Sequence, residues 1–192
     1  MIDEIKKHAR NWLGKNKYQP VLGNWHVEFI LNLASILRPK TYVELGLYQC
    51  ELFNKMIPHA ENLIGVDMEI EAGAHMRKTS KVRFVNCSTD EFCQVAKSEG
   101  IEIDLLFIDA NHSYESVKND FLGYFPLVKE GGLIVLHDGF PKDIEHAGSG
   151  YCGDGYRAID ELTRGAQGYE MMTIPVHPGL TLARKRQNHL PW

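Results

Sequence analysis

Three residues at the ends of two predicted strands have types and positions suited to binding a ribose-containing ligand. Glu44 and Gly46 lie in the segment Y-V-E-L-G-L-Y-Q-C, and Asp67 ends the later segment G-V-D. In open α/β sheets, ligands bind beyond the carboxyl ends of the strands, and an acidic residue ending the second strand accepts hydrogen bonds from ribose hydroxyls. Gly46 has no Cβ and would let the backbone approach such a ligand.

Each of these residues also has a purely structural explanation. Gly46 could be an ordinary turn glycine, and Asp67 could cap a helix. Their positions after successive predicted strands favour ligand binding. The G-x-G-x-x-G fingerprint of dinucleotide-binding proteins is absent, because only Gly46 occurs where three glycines are expected, and this disfavours an NAD or FAD enzyme.

An alternation of strands and helices must position these side chains. Apolar residues recur at helical spacing over residues 2–13 and 25–37, which predicts two helices before the first strand. The pattern that follows is typical of a parallel sheet covered by helices. The predicted strands are Thr41–Leu45, Asn62–Val66, Lys81–Val85, Ile103–Ile108 and Leu133–Leu136. The predicted helices are Cys50–Ile57, Ile70–Thr79, Thr89–Ser98, Ser113–Val128 and Tyr156–Arg164. The segments Tyr169–Val176 and Leu180–Lys185 are predicted to form a C-terminal hairpin, with the sequence H-P-G as the turn between them.

Length and composition predict one globular domain over residues 1–192, with N-terminal helices in 1–39 and a core in 41–185. Of the 192 residues, 44% are hydrophobic and 24% are charged, which excludes disorder as the main state. The net charge of −4 disfavours nucleic acid as a partner. The four cysteines form no C-x-x-C pair and are expected to be reduced. No signal peptide or membrane span is evident, so we expect a cytoplasmic protein without a membrane partner.

The E-x-G motif at Glu44 and Gly46, together with Asp67, resembles the class I S-adenosylmethionine-dependent methyltransferases over roughly residues 41–185. The resemblance implies an α/β, Rossmann-like, doubly wound and mostly parallel seven-stranded sheet. Helices would cover both faces, and one C-terminal strand would be antiparallel. Cys50 stands where this family usually has a glycine, which predicts a tighter loop.

The same resemblance implies a set of residues that bind S-adenosylmethionine. Glu44 and Gly46 would border the methionine part, and Tyr48 lies in the same loop. Asp67 would accept hydrogen bonds from the ribose hydroxyls. Ser88, which follows the third strand, would lie beside the adenine.

Two longer segments resemble a narrower branch, the macrolide-sugar O-methyltransferases and the cephalosporin-hydroxylase-type proteins. They are I-D-L-L-F-I-D-A-N-H-S-Y-E-S-V-K-N-D and P-L-V-K-E-G-G-L-I-V-L-H-D. The resemblance implies that Asp109, His137 and Asp138 bind a divalent metal, Mg or Mn. It also implies that Asp109 contacts the cofactor and is a catalytic residue. Neighbouring parallel strands lie about 4.8 Å apart, so Asp109 and Asp138 can converge on one ion if their strands are adjacent.

Two alternatives stay open for this set. His137 stands where the sugar methyltransferases carry a carboxylate, so it either shifts the preference towards manganese, iron or zinc or is not a ligand. Asp109 and Asp138 could instead cap the loops that follow them.

His112 is predicted to be the general base, because a histidine with an ordinary pKa of about 6.5 accepts a proton at neutral pH and this one follows Asp109 closely. The other histidines are expected to be solvated surface residues: His8, His26, His59, His75, His146, His177 and His189. The glycine-rich segment from Phe140 to Asp154 is predicted to be a mobile loop that closes over substrate.

These observations predict methyl transfer from S-adenosylmethionine to an oxygen atom of a small-molecule acceptor, such as a sugar hydroxyl, assisted by a divalent metal. One alternative is a metal-independent N- or O-methyltransferase in which the carboxylates only orient substrate. Another is a protein that binds S-adenosylmethionine without catalysis. A nicotinamide oxidoreductase is disfavoured by the missing glycines.

Overall fold

Seven strands form one sheet in the structure, a computed structural model that describes residues 24–148, 150–165 and 168–186. The strands are β1 (Thr41–Leu45), β2 (Asn62–Asp67), β3 (Val82–Asn86), β4 (Ile103–Ile108), β5 (Val128–His137), β6 (Tyr169–Ile174) and β7 (Leu180–Lys185). Their order across the sheet is β3-β2-β1-β4-β5-β7-β6. The first five pair in parallel, and β7 runs antiparallel to both β5 and β6. This confirms the predicted doubly wound sheet with an antiparallel C-terminal strand.

Helices cover both faces of the sheet. They are α1 (Trp25–Leu37), α2 (Glu51–Met56), α3 (Ala72–His75), α4 (Thr89–Glu99), α5 (Tyr114–Tyr124) and α6 (Gly155–Arg164). The apolar side chains form two buried clusters, one on each side of the sheet, and alternate residues of β1 belong to different clusters. Val43 packs in one cluster and Tyr42 in the other. Burial on both faces explains why the central strands are almost continuously apolar.

Most element boundaries agree with the sequence predictions, and three differ for identifiable reasons. The predicted helix over Ser113–Val128 ends at Tyr124, and a 3-10 turn at Phe125–Leu127 follows, because Pro126 cannot continue the hydrogen-bonded helix. The fifth strand begins at Val128 rather than Leu133. Gly131 has a φ of +80°, and the register with β4 shifts between Ile103 and Leu105, so the extra residues form an irregularity within one strand.

The predicted helix over Ile70–Thr79 is shortened to α3. Met76 is extended, and the Arg77 backbone N–H donates to Asn54 Oδ1 at 2.8 Å instead of continuing the helix. The predicted helix over residues 2–13 lies outside the described residues. Within the described part of the chain, no helix combines the length and apolar character needed to cross a bilayer. All four cysteines are free thiols.

Candidate functional site

The carboxyl ends of four neighbouring strands bring the sequence-predicted residues to one edge of the sheet. Leu45 is paired with Val66 of β2 and with Ile108 of β4, and Ile108 is paired with Leu136 of β5. Two cavities open at this edge. Cavity A has a volume of about 890 Å³, and its lining includes Asp67, Ser88 and His112. Cavity B has a volume of about 760 Å³, and its lining includes Glu44, Asp67 and Asp109. Gly46 and Asp67 line both, so the cavities meet at the ends of β1 and β2.

Gly46 is required by the fold at this junction. Its φ is +85°, and a Cβ placed there would lie 2.3 Å from the Asp109 carbonyl oxygen. Gly46 was expected to let the backbone approach a ligand, and the structure shows a further reason for a glycine here. The backbone of Asp109 and Ala110 in the neighbouring loop packs against Gly46, and this close approach brings the ends of β1 and β4 together.

Asp67 holds the loop that follows β1. Its Oδ2 accepts hydrogen bonds from the backbone N–H groups of Leu47 at 2.8 Å and Tyr48 at 3.2 Å, and its Oδ1 accepts from Glu69 N at 2.9 Å. A carboxylate offers about four lone-pair positions. Asp67 therefore binds loop N–H groups and does not cap a helix, since the neighbouring helices α2 and α3 have Cys50 and Glu71 at their N-cap positions and no side-chain cap. One lone-pair position stays available to a ligand hydroxyl.

The loop after β1 places Tyr48 at the surface and Cys50 in the core. Tyr48 borders cavity B and is 82% exposed. Cys50 is fully buried at the start of α2 with a φ of +55°, the left-handed conformation that glycine adopts more readily. Its thiol donates to the Ala72 carbonyl at 3.2 Å. The structure thus keeps at Cys50 the backbone conformation that a glycine would favour.

Ser88 begins α4 and borders cavity A. Its Oγ accepts from Glu91 N at 3.2 Å, while its backbone N–H donates to Glu91 Oε2 at 2.9 Å, which together form a capping box. Ser88 therefore stabilises the helix start and at the same time lines the cavity next to Asp67.

Glu44 is buried at the end of β1 and is only 3% exposed. The hydroxyl of Tyr42 donates to Glu44 Oε2 at 2.5 Å. Tyr42 was not among the predicted site residues. A signal for it exists in the sequence, because residues two apart on a strand point to the same face.

Asp109, His137 and Asp138 form one cluster, as their positions after β4 and β5 predict. Their ligand atoms all lie within 4.8 Å of one another. His137 Nδ1 lies 3.0 Å from Asp109 Oδ1 and 3.3 Å from Asp138 Oδ2. Two ligands about 2.1 Å from one ion and at right angles to each other are about 3.0 Å apart. The spacing therefore suits donor atoms that share a cation.

Several buried atoms of this cluster also make no hydrogen bond of good geometry. They are His137 Nδ1, His137 Nε2 and Asp109 Oδ1, although His137 Nδ1 lies only 3.0 Å from Asp109 Oδ1. Buried polar atoms are rarely left unpaired. The residues present therefore fit a bound divalent cation: carboxylate oxygens suit any such ion, and an imidazole nitrogen suits manganese, iron or zinc.

His112 bridges the two carboxylates from the other side. Its Nε2 lies 3.4 Å from Asp109 Oδ1, and its Nδ1 lies 2.9 Å from Asp138 Oδ2 and 2.9 Å from the Tyr151 carbonyl oxygen. Hydrogen bonds to Asp109 and Asp138 raise the pKa of His112 to about 11. At neutral pH this favours the protonated imidazole, so His112 can act as a base only after losing that proton in the loaded enzyme. The base role stays a prediction.

The two imidazoles, His112 and His137, also change the pKa values of the two carboxyl groups. Burial raises the pKa of Asp138, but hydrogen bonds from His112 and His137 outweigh burial and hold the pKa below its usual range. For Asp109, burial also raises the pKa, but the positive charge of His137 and hydrogen bonds from His112 and His137 together outweigh burial and lower it. Both carboxyl groups are ionised at neutral pH.

His26 belongs to this site and is not a solvated surface residue, which corrects the sequence expectation. Its ring lies 4.3 Å from the His137 ring, centroid to centroid, and it lines cavity B. Burial and the charge of His137 lower its pKa to about 4, so it is neutral. The sequence contains a signal for this position, because His26 lies one helical turn before Ile30, on the side of the helix where Ile30 is fully buried.

The segment from Phe140 to Asp154, predicted to be a mobile loop, is anchored at its C-terminal end. Cys152 is only 2% exposed. The Gly155 N–H donates to the His112 carbonyl at 2.8 Å, and Asp154 Oδ1 accepts from Tyr114 N at 2.7 Å. Tyr151 and Asp154 line cavity A, so this part of the segment forms one wall of the site.

Solved structures share this fold at low sequence identity. An O-methyltransferase from Bacillus cereus in complex with SAH has a TM-score of 0.73 and 14% identity, covering 94% of this chain and 90% of that chain. A putative caffeoyl-CoA O-methyltransferase from Staphylococcus aureus has a TM-score of 0.71 and 16% identity, covering 96% and 97%. The O-methyltransferase TomG from Streptomyces achromogenes in complex with SAM has a TM-score of 0.67 and 17% identity, covering 95% and 89%.

Sequence comparison identifies the family. An uncharacterized protein of Acanthamoeba polyphaga mimivirus is 31% identical in an alignment 129 residues long that covers 59% of this chain and 58% of that protein. The chain thus spans less than two thirds of that relative's length. A family model described as a methyltransferase domain matches residues 28–139, which is more than half of the chain and includes the ends of β1, β2, β4 and β5. The chain belongs to the methyltransferase domain family.

Proposed function

We propose that this methyltransferase transfers the methyl group of S-adenosylmethionine to an oxygen atom of a small-molecule acceptor, with a divalent cation held by Asp109, His137 and Asp138. The observation that carries the proposal is the spacing of these donors, 3.0 Å and 3.3 Å around His137 Nδ1, beside a cavity that reaches Asp67. The O-methyltransferases of Bacillus cereus and Streptomyces achromogenes that share the fold were solved with SAH and SAM, which supports the choice of cofactor.

The two connected cavities suggest where the cofactor lies. Asp67 stands at their junction and would accept a hydrogen bond from the ribose hydroxyls at its remaining lone-pair position. Ser88 in cavity A would lie beside the adenine. Glu44, Gly46 and Tyr48 in cavity B would border the methionine part, and Asp109 would be the residue common to the cofactor and the cation.

For this reaction the protein mainly has to align the acceptor oxygen with the methyl carbon and remove the proton of the acceptor hydroxyl. The sulfonium group already activates the methyl carbon, so the site mainly has to hold the acceptor oxygen in line with it. A bound cation would supply a lowered pKa for the acceptor hydroxyl. His112 contacts both carboxylates and is the proposed proton acceptor of the loaded enzyme.

A panel of metal additions tests the cation site. Without cofactor, Mn²⁺ at about 100 times its dissociation constant is expected to stabilise the fold by about 2.7 kcal/mol, visible as a higher unfolding temperature. Asp138→Asn should lose most of this response. Asp160→Asn is the matched control, since Asp160 lies on α6 in an exposed pair with Arg164 and should respond like the wild type.

Metal content and turnover complete the test. Because His137 contributes an imidazole, Mn²⁺ should support activity at least as well as Mg²⁺. Full turnover in excess chelator, by protein that contains no metal, would contradict the metal-assisted reaction. That result would favour a metal-independent N- or O-methyltransferase, an alternative supported by the ion pairs with which His112 and His137 already neutralise the two carboxylates.

A further inference from the structure

His137 presents one ring nitrogen to the carboxylates and leaves the other unpaired. Nδ1 lies 3.0 Å from Asp109 Oδ1 and 3.3 Å from Asp138 Oδ2, so Nδ1 is the atom that would face the cation. Nε2 is buried and makes no hydrogen bond of good geometry. In metal sites, the second ring N–H of a ligating histidine almost always has a hydrogen-bond acceptor, which fixes the tautomer and the direction of the ring. His137 therefore needs an acceptor for its Nε2–H.

The neighbours of His137 indicate which residue supplies this acceptor. Within the part of the chain that the structure describes, two rings contact it: Phe107, with 6.1 Å between centroids, and His26, with 4.3 Å. Leu180 pairs with His137 across β5 and β7 and is fully buried. Phe107 and Leu180 are apolar. Among these three neighbours, only the imidazole of His26 has a nitrogen lone pair to offer.

His26 has an unpaired atom of its own. Its Nδ1 is also buried and makes no hydrogen bond of good geometry. Buried polar atoms are rarely left unpaired, and here two of them belong to rings in contact. The rings are inclined by 54° and no hydrogen bond joins them, so pairing requires a rotation of the His26 ring about its Cβ–Cγ bond. His26 borders cavity B, which gives the ring room to rotate.

The start of α1 fixes the backbone of His26 while its side chain turns. On one side, Trp25 Nε1 donates to the His177 carbonyl at 3.0 Å. On the other side, Val27 is only 3% exposed. A side chain that acts from a fixed element can hold its partner in one orientation.

We propose that His26 is a positioning residue for His137: its Nδ1 accepts a hydrogen bond from His137 Nε2–H and thereby directs His137 Nδ1 towards the cation. The inference rests on the cation site of the proposed function. His26 is not itself a ligand, because the donor atoms within 4.8 Å of one another are those of Asp109, His137 and Asp138. It acts on cation affinity through His137.

Calorimetry with Mn²⁺ tests the effect on affinity, using the full chain without cofactor. His26→Leu should bind Mn²⁺ about 10- to 100-fold more weakly, the loss typical of removing such an acceptor. His26→Asn should stay close to the wild type, because the asparagine Oδ1 takes the place of Nδ1 and accepts the same hydrogen bond. His75→Ala is the matched control, since His75 is an exposed histidine that lines the same cavity. Equal affinity in His26→Leu and the wild type would overturn the proposal.

Pulsed electron paramagnetic resonance with Cu²⁺ as the probe gives a signature that a loss of stability would not produce. Electron spin echo envelope modulation detects the remote nitrogen of a coordinated imidazole, here His137 Nε2. The quadrupole coupling of that nitrogen falls when its N–H is hydrogen-bonded. The wild type and His26→Asn should show the lowered coupling, and His26→Leu the higher one. A wild-type coupling typical of an unbonded N–H would refute the pairing without need of any variant, even if a substitution prevents folding.

The outcomes distinguish this inference from the proposed function. A second coordinated imidazole that disappears in His26→Leu would make His26 a ligand and overturn its positioning role. Tight Mn²⁺ binding that is the same in the wild type and His26→Leu would leave the proposed function standing and remove only this inference. Failure of Mn²⁺ to bind the wild type would overturn the cation site of the proposed function and this inference with it.

Discussion

The carboxylate of Asp67 serves the fold and is also available to a ligand. Two of its backbone hydrogen bonds hold the loop after β1 against β2, a third goes to Glu69 N, and Asp67 lines both cavities. Several residues of the site share this double use. Ser88 caps α4 and borders cavity A, and Gly46 permits the contact of two loops at the junction of the cavities. Substitutions here must therefore be read with stability and ligand affinity measured together.

The first prediction concerns Asp67. Asp67→Ala should weaken binding of S-adenosylmethionine tenfold or more, because a hydrogen bond to a charged group is worth about 1.5 to 3 kcal/mol. Asp67→Asn keeps one oxygen for the loop and should lose less stability than the alanine variant. Calorimetry gives the affinity and urea unfolding gives the stability. Unchanged affinity in the alanine variant would exclude the ribose contact.

The second prediction concerns His112. Positioned proton transfer contributes about 10² to 10⁴ in rate, so His112→Ala should lower turnover by that order while cofactor affinity stays nearly unchanged. His112→Gln should not restore turnover, because an amide forms hydrogen bonds but takes up no proton. Formation of S-adenosylhomocysteine with an acceptor identified by methyl labelling is the readout. Near-normal turnover in the alanine variant would make His112 a charge partner of Asp109 and Asp138 only.

At the scale of elements, the segment from Phe140 to Asp154 is tied to the loop after β4. Gly153 has a φ of +61°, and a Cβ there would lie 2.4 Å from the His112 carbonyl oxygen. The Tyr151 carbonyl also lies 2.9 Å from His112 Nδ1. These contacts connect one wall of cavity A with the carboxylate cluster. Any opening of the wall must therefore hinge before Tyr151.

The third prediction is that this segment closes over substrate. Limited proteolysis should cut the free protein within residues 140–150, and cofactor plus acceptor should suppress the cut, because closure excludes water from the methyl donor. Gly153→Ala should be cut faster, since its Cβ cannot fit against His112. Gly165→Ala is the control, because its φ is negative and a Cβ there makes only ordinary contact. Equal cleavage with and without ligands would contradict closure.

At the scale of the whole molecule, the strand order decides which side chains meet. β1 lies between β2 and β4, so the loops carrying Gly46, Asp67 and Asp109 adjoin. The ends of β4 and β5 are also neighbours, which brings Asp109 to His137 and Asp138. The carboxyl groups gathered by folding affect stability as well as binding. Asp120 on α5 is the clearest case outside the site, since it is 2% exposed and its Oδ2 has no hydrogen-bond partner.

The fourth prediction follows from the titration of Asp120. Burial raises its folded-state pKa from 3.8 to about 6. Between these values the folded state binds more protons than the unfolded state, so this group lowers the free energy of unfolding as the pH rises from about 4 to about 6. The loss is about 3 kcal/mol above pH 6. Asp120→Asn should therefore match the wild type near pH 4 and be more stable by up to about 3 kcal/mol at pH 7.

Urea unfolding at a series of pH values measures this difference. Asp160→Asn is the control, because Asp160 is exposed and should show no such pH-dependent gain. A constant difference between Asp120→Asn and the wild type from pH 4 to 7 would show that the folded-state pKa is not raised.

The sequence by itself determined the strand and helix pattern and the positions at the strand ends. Alternation and helical spacing are local properties of the chain, and they predicted β1, β2 and β4 and put Asp67, Asp109 and Asp138 at strand ends. The metal-binding role of Asp109 and Asp138 came from the family resemblance. Only the tertiary structure decided the surroundings of each group. It brought the His26 ring next to the His137 ring, buried Glu44 beside Tyr42, and set His112 between two carboxylates that raise its pKa. Burial and neighbouring charges depend on contacts between residues far apart in the chain, which no local pattern encodes.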